Sequence, residues 1–245
     1  LRFIKQLPQK IRNSLDPIGS WEIRIPLFSF RTILLAGVFA SGMIVFYFYS
    51  TTIAHLPNPK SLAERPLRLS TRIYDRNHTH LFTIFSAENR VVADLESLPN
   101  HLIQATLAIE DQNFYEHPGF SPRGIARALT VIAFEGRLEG GSTITQQLVK
   151  NTLLTPEKTL RRKIRELVLA LQVEAQYEKD EILEMYLNEV NYGGVNYGVA
   201  AAADYYFGKK PSQLNLAESS LLAGLPSAPS KWSPTGVGIN VARRR

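Results

Sequence analysis

A mainly α-helical body, preceded by one membrane-crossing helix and a short β-hairpin, is the fold class this sequence predicts, and three observations carry it. An apolar run of 23 residues from Thr32 to Ala54 contains no charge. Two short strand-like runs, Leu69 to Tyr74 and His80 to Phe85, flank the polar stretch DRNHT at 75–79. From Pro99 onward, apolar residues recur at the three- and four-residue spacing of helices.

The apolar run, TILLAGVFASGMIVFYFYSTTIA, spans roughly 34 Å as a helix, which is enough to cross a bilayer. A buried core helix rarely stays uncharged on every face for so many turns, and Phe46, Tyr47, Phe48 and Tyr49 resemble the aromatic belt of a membrane interface. A cleavable signal peptide is the rival, with Thr52-Ile53-Ala54 as a weak small-x-small site. Its apolar core would be shorter, about 7–15 residues, so an uncleaved anchor is expected. Residues 1–31 hold six positive and two negative side chains, which predicts a cytoplasmic N-terminus and places everything after residue 54 outside.

The 245 residues carry a formal charge of +6 and a sequence pI near 9.5, a balance that invites a nucleic-acid reading. Location removes it. Beyond the basic tail and the terminal Arg243, Arg244 and Arg245, residues 32–242 hold 19 positive and 20 negative side chains. The basicity is a topology signal and a chain end, and no nucleic-acid partner is expected. A hydrophobic content of 44% with 20% charged residues excludes a disordered chain. The absence of cysteine excludes a disulfide scaffold, a thiolate nucleophile, Cys-ligated zinc and iron–sulfur chemistry.

The segment HLPNPKSLAERP at 55–66, with three prolines, reads as a linker leaving the membrane. The two strand-like runs make a hairpin. Leu102, Ile103, Thr106, Leu107 and Ile109 then mark an amphipathic helix that delivers Glu110 and Asp111 at its C-terminal end. A second helix is expected from Thr155 as N-cap with Pro156 at its first position, turning Leu160, Ile164, Leu167, Val168 and Leu171 to one face. Asp180 caps a third, carrying Ile182, Leu183, Tyr186, Leu187 and Val190 inward. Val199 to Phe207 and Asn215 to Ala223 make two more, stopped by Gly208 and Gly224. No internal repeat occurs.

Four stretches carry candidate chemistry, each with a plainer reading beside it. EDQNFYEHPGF, residues 110–120, places two adjacent carboxylates and His117 at a helix end, where solvated charge is the ordinary explanation. GGSTITQQLVKN, 140–151, follows a Gly-Gly with hydroxyls, amides and Lys150, a set suited to a sugar or a phosphate and equally to a polar turn entering a helix. It is not a P-loop, because Lys150 lies ten residues after Gly140 and no strand precedes it. In TPEKTLRRKIRE, 155–166, Lys158, Arg162 and Glu166 recur every four residues opposite the leucines, with Arg165 beside them. This is either a solvated face or a cationic stripe able to hold a diphosphate. ILEMYLNEVNYGGVNYGVAAAADYYFGK, 182–209, is mostly scaffold, with Asn188 and the 191–194 loop as candidate substrate contacts.

In this order and spacing the four stretches, together with LNLAESSLLAGLPSAPS at 214–230, resemble the glycosyltransferase family 51 module, the peptidoglycan glycosyltransferase of class A penicillin-binding proteins and of monofunctional transglycosylases. The likeness covers about residues 69–234, and GGSTITQQ is its most specific part. The resemblance implies a lysozyme-like helical domain at residues 96–235, behind a cytoplasmic tail at 1–31, an anchor at 32–54 and a linker with hairpin at 55–95, and followed by a C-terminal tail at 236–245 of a longer protein. It implies a single-pass protein of the bacterial cytoplasmic membrane, polymerising lipid II into β-1,4-linked glycan with inversion at the MurNAc C1 and release of undecaprenyl diphosphate. Cell-wall synthesis proteins are further candidate partners.

By position in the motifs, Glu110 is the implied general base and Glu166 the second carboxylate, while Ser142, Gln147, Lys150, Lys158 and Arg162 hold donor sugar or phosphates. Asp111 either raises the pKa of Glu110 or binds a divalent cation, Mg or Mn; no cofactor is otherwise called for. Some positions depart from the family. His78 stands in the hairpin turn where glycine is frequent, Asn191 where an aromatic is common, and Lys158 where some members have arginine. No SxxK, SxN or KTG element of a transpeptidase occurs in these residues. Two other readings stand beside this one: a lysozyme-like lytic enzyme using Glu110, against which the cations Lys150, Lys158 and Arg162 speak, and a non-catalytic glycan- or lipid-binding subunit, against which both motif carboxylates speak.

Overall fold

The computed structural model describes residues 30–122, 124, 134, 141–157 and 159–232. Residues 1–29 of the basic tail, the C-terminal tail, Gly140 and Lys158 lie outside the described residues. Two compact units divide the chain, Leu1–Tyr49 and Ser50–Arg245.

The first unit contains all but the last residues of helix α1, Phe30–Thr52, which has no acidic residue in its first turn and no basic one in its last. Its side chains are exposed from Arg31 to Tyr49, and from Arg31 to Thr52 it is long and apolar enough to cross a membrane.

The second unit begins with a fastened strap where a linker was expected. Pro59 is buried, Leu56 and Leu62 pack against the core, and the Tyr177 hydroxyl donates toward the carbonyls of Pro59 and Lys60 at 3.3 Å. A short helix α2, Ser61–Glu64, follows. The prolines therefore fix the chain's path instead of freeing it.

Strands β1, Thr71–Tyr74, and β2, His80–Ile84, form the expected antiparallel hairpin, with Arg72 opposite Thr83 and Ile73 opposite Phe82. In its turn, Asp75 Oδ1 accepts from the amides of Asn77 and Thr79 at 2.8 Å. His78 there has φ 61°, which explains why a glycine is at home at this position. A second sheet joins distant segments: β3, Asn89–Arg90, runs parallel to β5, Asn196–Tyr197, which pairs antiparallel with β4, Asn191–Gly193. Arg90, 2% exposed, locks it by donating to Glu189 Oε2 and the Asn188 carbonyl at 2.6 Å and to Glu88 at 3.1 Å.

The helical body comprises α3, Asn100–Glu110; α4, Ile144–Thr152; α5, Leu160–Glu174; α6, Lys179–Glu189; α7, Val199–Phe207; α8, Leu216–Gly224; and the short α9, Pro229–Trp232. α4 packs on both α5 and α6, and α3 packs on α8. Ile144, Leu148, Leu169, Val173, Ile182, Leu183 and Leu187 close the core between α4, α5 and α6 at 0–1% exposure. Truncating any of the leucines or isoleucines among them to alanine would cost about 2–5 kcal/mol. Small side chains at Ala200–Ala203 let α7 approach its neighbours. The backbone approaches equally closely at Gly198, where φ is +81° and a Cβ would stand 2.8 Å from the Asn188 carbonyl oxygen.

Three expectations need correcting. α5 starts at Leu160, not after Thr155, because the Thr159 hydroxyl accepts from Arg162 N at 3.1 Å and takes the capping role. α6 is preceded by Glu178, whose N–H is accepted by Glu181, while Asp180 instead accepts from the Tyr115 hydroxyl at 2.8 Å. The third is the orientation of α5. Its buried residues are Glu166, Leu169, Ala170 and Val173, whereas Leu160 is 79% and Leu171 39% exposed. At 100° per residue the buried stripe lies about 150° from the predicted leucine face. The carboxylate is turned into the protein, and Arg162 and Lys163 reach toward it.

Candidate active site

The site grows from the N-terminus of α4, where GGSTITQQ enters the helix. Thr143 caps it: its hydroxyl accepts from Gln146 N at 3.2 Å and donates to the Gly119 carbonyl at 2.7 Å. The amide of Ile144, the first helical residue, donates to Asp111 Oδ2 at 3.1 Å. A carboxylate there satisfies an otherwise unpaired amide and complements the helix dipole. The other oxygen, Asp111 Oδ1, accepts from His117 Nε2 at 2.9 Å, both side chains being buried. Asp111 thus holds the 110–117 loop onto α4, and both its oxygens face protein donors. Among the described residues no three His, Cys, Asp or Glu side chains gather around it.

Around this loop runs a supporting network. Lys179 Nζ donates to the His117 carbonyl at 2.7 Å, lies 4.4 Å over the Phe114 ring and pairs with Glu174 at 2.7 Å. Thr145 Oγ1 donates to Glu174 at 2.5 Å. Gly119 has φ +83°, and a Cβ there would meet Glu174 Cγ at 2.8 Å and the Ala170 carbonyl oxygen at 3.0 Å, so the HPGF turn closes on α5 only with glycine.

Glu110 ends α3, half-buried, and its Oε2 accepts from Gln147 Nε2 at 2.8 Å. The Tyr186 hydroxyl in turn lies 3.5 Å from Gln147 Oε1. Burial, and after it the negative charge of Glu110, pushes the phenols of Tyr186 and Tyr192 well above their ordinary range. The charge of Glu110 thus acts on two buried phenols through surroundings that screen it weakly.

The cations gather one helix away. Glu166, 1% exposed, receives Arg162 Nη1 on Oε2 and Lys163 Nζ on Oε1, each at 2.5 Å. Lys163 also donates to Ser142 Oγ at 2.7 Å and to Gln146 Oε1 at 3.3 Å. Arg162 Nε is tied to the Glu157 carbonyl. Lys150, in the last turn of α4, has its pKa lowered by partial burial; Glu166 and Glu110 pull it up, while Arg162 and Lys163 push it down. It lines the same cleft as Arg162.

Two clefts flank this chain of contacts. One of about 320 Å³ is lined by Glu110, Asp111, Ser121, Gly141, Ser142 and Thr143 among others. The other, about 520 Å³, is lined by Lys150, Asn151, Leu154, Arg162, Glu189, Asn191 and Tyr197 among others. Ser142, Lys163, Glu166 and Arg162 connect the two. Of the sequence-predicted residues, Glu110, Gln147, Lys150, Ser142, Arg162 and Glu166 are brought together, Asp111 supports them, and Lys158 lies outside the described residues. Asn188, a candidate substrate contact in a stretch read mostly as scaffold, is spent on the Ala93 amide and carbonyl at 2.9 Å. Lys163 was not foreseen as a site residue, although its three-residue spacing to Glu166 was a readable signal.

A membrane-type helix followed by a helical unit whose carboxylate and cation cluster face two adjoining clefts defines a class of transferase-like site. The model of the Transglycosylase family matches residues 77–245. Penicillin-binding protein 1A of Escherichia coli (strain K12) is 44% identical over 191 residues, covering 77% of this chain and 22% of that protein. Penicillin-binding protein 1A of Aquifex aeolicus (strain VF5) is 42% identical over 194 residues, 79% and 26% respectively. Penicillin-binding protein 1F of Bacillus subtilis (strain 168) is 42% identical over 169 residues, 69% and 24%. A crystal structure of penicillin-binding protein 1A from Haemophilus influenzae shares 27% identity over 69% of this chain and 16% of that one, with a TM-score of 0.35, too low to bear on the fold. The chain belongs to the transglycosylase family. It spans about a quarter of the length of the curated relatives it matches.

Proposed function

We propose that the chain is a membrane-anchored peptidoglycan glycosyltransferase that polymerises lipid II. The observation that carries this is the placement of Glu110 on one cleft and of Lys150 and Arg162 on the other, with Lys163 and buried Glu166 linking the two through Ser142. The acceptor's 4-hydroxyl enters beside Glu110, whose carboxylate takes its proton. The freed oxygen attacks C1 of the donor MurNAc, the bond from C1 to the phosphate oxygen breaks with its electron pair, and undecaprenyl diphosphate leaves. Attack from the face opposite the leaving group converts the α-linkage into a β-1,4 bond.

The charge that develops on the diphosphate needs fixed cations that are already in place. Lys150 and Arg162 line the larger cleft, and Lys163 reaches from Glu166 to Ser142. Glu166, buried beneath them, acts by holding Arg162 and Lys163 in register; Lys158 is a further candidate cation. Gln147 orients Glu110 through its amide. The α1 helix anchors the unit in the cytoplasmic membrane, with the basic residues 1–31 on the cytoplasmic side and the clefts outside, where lipid II and the growing strand are found.

The test is the full chain in detergent with labelled lipid II and, separately, with preformed glycan. Ladders of growing glycan from lipid II are expected. Release of fragments from preformed glycan without polymerisation would overturn the reading in favour of a lytic enzyme, for which a diphosphate-sized cation cluster has no use.

A further inference from the structure

Three stripes run along α5. One, with Arg162, Lys163 and Glu166, faces the site; another, with Leu160 and Leu171, faces out; and between them lie Arg161 and Arg165, one turn apart. The site does not use these two arginines. Arg165 donates from Nε to the Thr52 carbonyl at 3.0 Å and from Nη2 to the Thr51 carbonyl at 3.2 Å. Arg161 donates from Nη2 to the same Thr51 carbonyl and from Nε to Thr52 Oγ1 at 3.3 Å.

Thr51 and Thr52 are the last residues of α1. The final carbonyls of a helix lack intrahelical partners and carry the negative end of its dipole, so cations are favoured there. α1 has no basic residue in its own last turn, and α5 supplies two. Thr52 is 1% exposed, so this end is buried rather than merely touched. The strap that follows, with buried Pro59 and the Tyr177 hydroxyl on its carbonyls, is fastened as well.

We propose that Arg161 and Arg165 are positioning residues that clamp the end of the anchor helix to the helix bearing Arg162, Lys163 and Glu166. The proposal rests on the glycosyltransferase reading. A polyprenyl diphosphate held in a bilayer presents its charge at a set depth, and a catalytic helix fixed to the anchor's end meets it without searching. Glu166 follows Arg165 directly in the chain, so slippage of the clamp displaces the cation cluster, and displacements near 1 Å cost up to about 10²-fold in rate. A substrate free in water imposes no such depth.

The test compares Arg165→Ala and Arg165→Lys in the full chain reconstituted into lipid vesicles, with labelled lipid II in the bilayer and with a short-chain, water-soluble analogue. Both variants are expected to lose about tenfold in kcat on the bilayer substrate and to stay within about twofold on the soluble one. Lysine fails because it lacks the guanidinium fork that reaches two successive carbonyls. Hydrogen exchange of the backbone amides at 53–62 should rise about tenfold in both variants, whatever the activity. Wild-type activity in the lysine variant would overturn the clamp in favour of simple attraction to headgroups. Equal losses on both substrates would reduce Arg165 to a support of α5, and unchanged exchange would show that the contact fastens nothing. If wild type polymerises neither substrate, the function reading fails, and the exchange result still decides the clamp.

Discussion

Replacing Glu166 by glutamine removes one buried charge and leaves two cations facing each other. The carboxylate is 1% exposed, and its pairs with Arg162 and Lys163 are both 2.5 Å long, but their environments differ. Arg162 has a side chain only 19% exposed, and stranding a buried charge costs about 3–5 kcal/mol. The Lys163 side chain is 43% exposed, so solvent screening limits its share to at most about 1 kcal/mol. The amide keeps one carbonyl acceptor, which returns about 1 kcal/mol. The net loss is about 3 kcal/mol, and at 2–4 °C per kcal/mol the thermal midpoint falls by roughly 6–12 °C. Turnover falls with it, because Arg162 and Lys163 lose the carboxylate that holds them in place. Calorimetry of the full chain in detergent reads the midpoint, and the double variant Glu166→Gln/Arg162→Met should recover part of the loss by removing the stranded cation. A Glu166→Gln midpoint within about 2 °C of wild type, or purely additive losses in the double variant, would refute the charge argument.

Lys150 gives a pH signature. Its pKa lies below the ordinary 10.5, so the alkaline limb of activity falls below that value, and Lys150→Arg should move the limb upward. For stability the sign is opposite to that of a stabilised lysine: between the folded pKa and 10.5 the unfolded chain binds more protons, so stability rises with pH, and the rise should vanish in Lys150→Met denaturation curves. Gly119→Ala is expected to cost about 2 kcal/mol or more from the positive φ and the clash with Glu174 and Ala170, visible as a lowered urea midpoint. Asp111→Ala removes the partner of His117 and of the Ile144 amide and should destabilise by about 2 kcal/mol, with Asp111→Asn recovering part; an unchanged midpoint would contradict its structural role.

Much of this fold was legible because local chemistry and tertiary demand agree. The hairpin, the delivery of Glu110 at a helix end and the buried face of α6 follow from turn residues and periodicity. Reading failed where a long-range contact outranked the local rule. α5 has more leucine on one face than the core accepts, and its orientation is set by Glu166, whose two cations make a carboxylate tolerable inside. Asp111 could be read as a partner for Glu110 or for a metal, because nothing in the sequence reveals that the amide of Ile144, 33 residues later, takes one of its oxygens. The strap at 55–66 looked like a linker by composition, and only its contacts with Tyr177 and the core make it rigid.

The central claim is that Glu110 is the base that activates the acceptor hydroxyl, and Glu110→Gln tests it most directly. The amide preserves shape and a partner for Gln147 but cannot take a proton. Single-turnover assays with labelled lipid II in detergent should give glycan ladders with wild type and none with Glu110→Gln, while the variant's thermal midpoint and substrate binding stay close to wild type. Ladders formed by the variant at the wild-type rate would contradict the account.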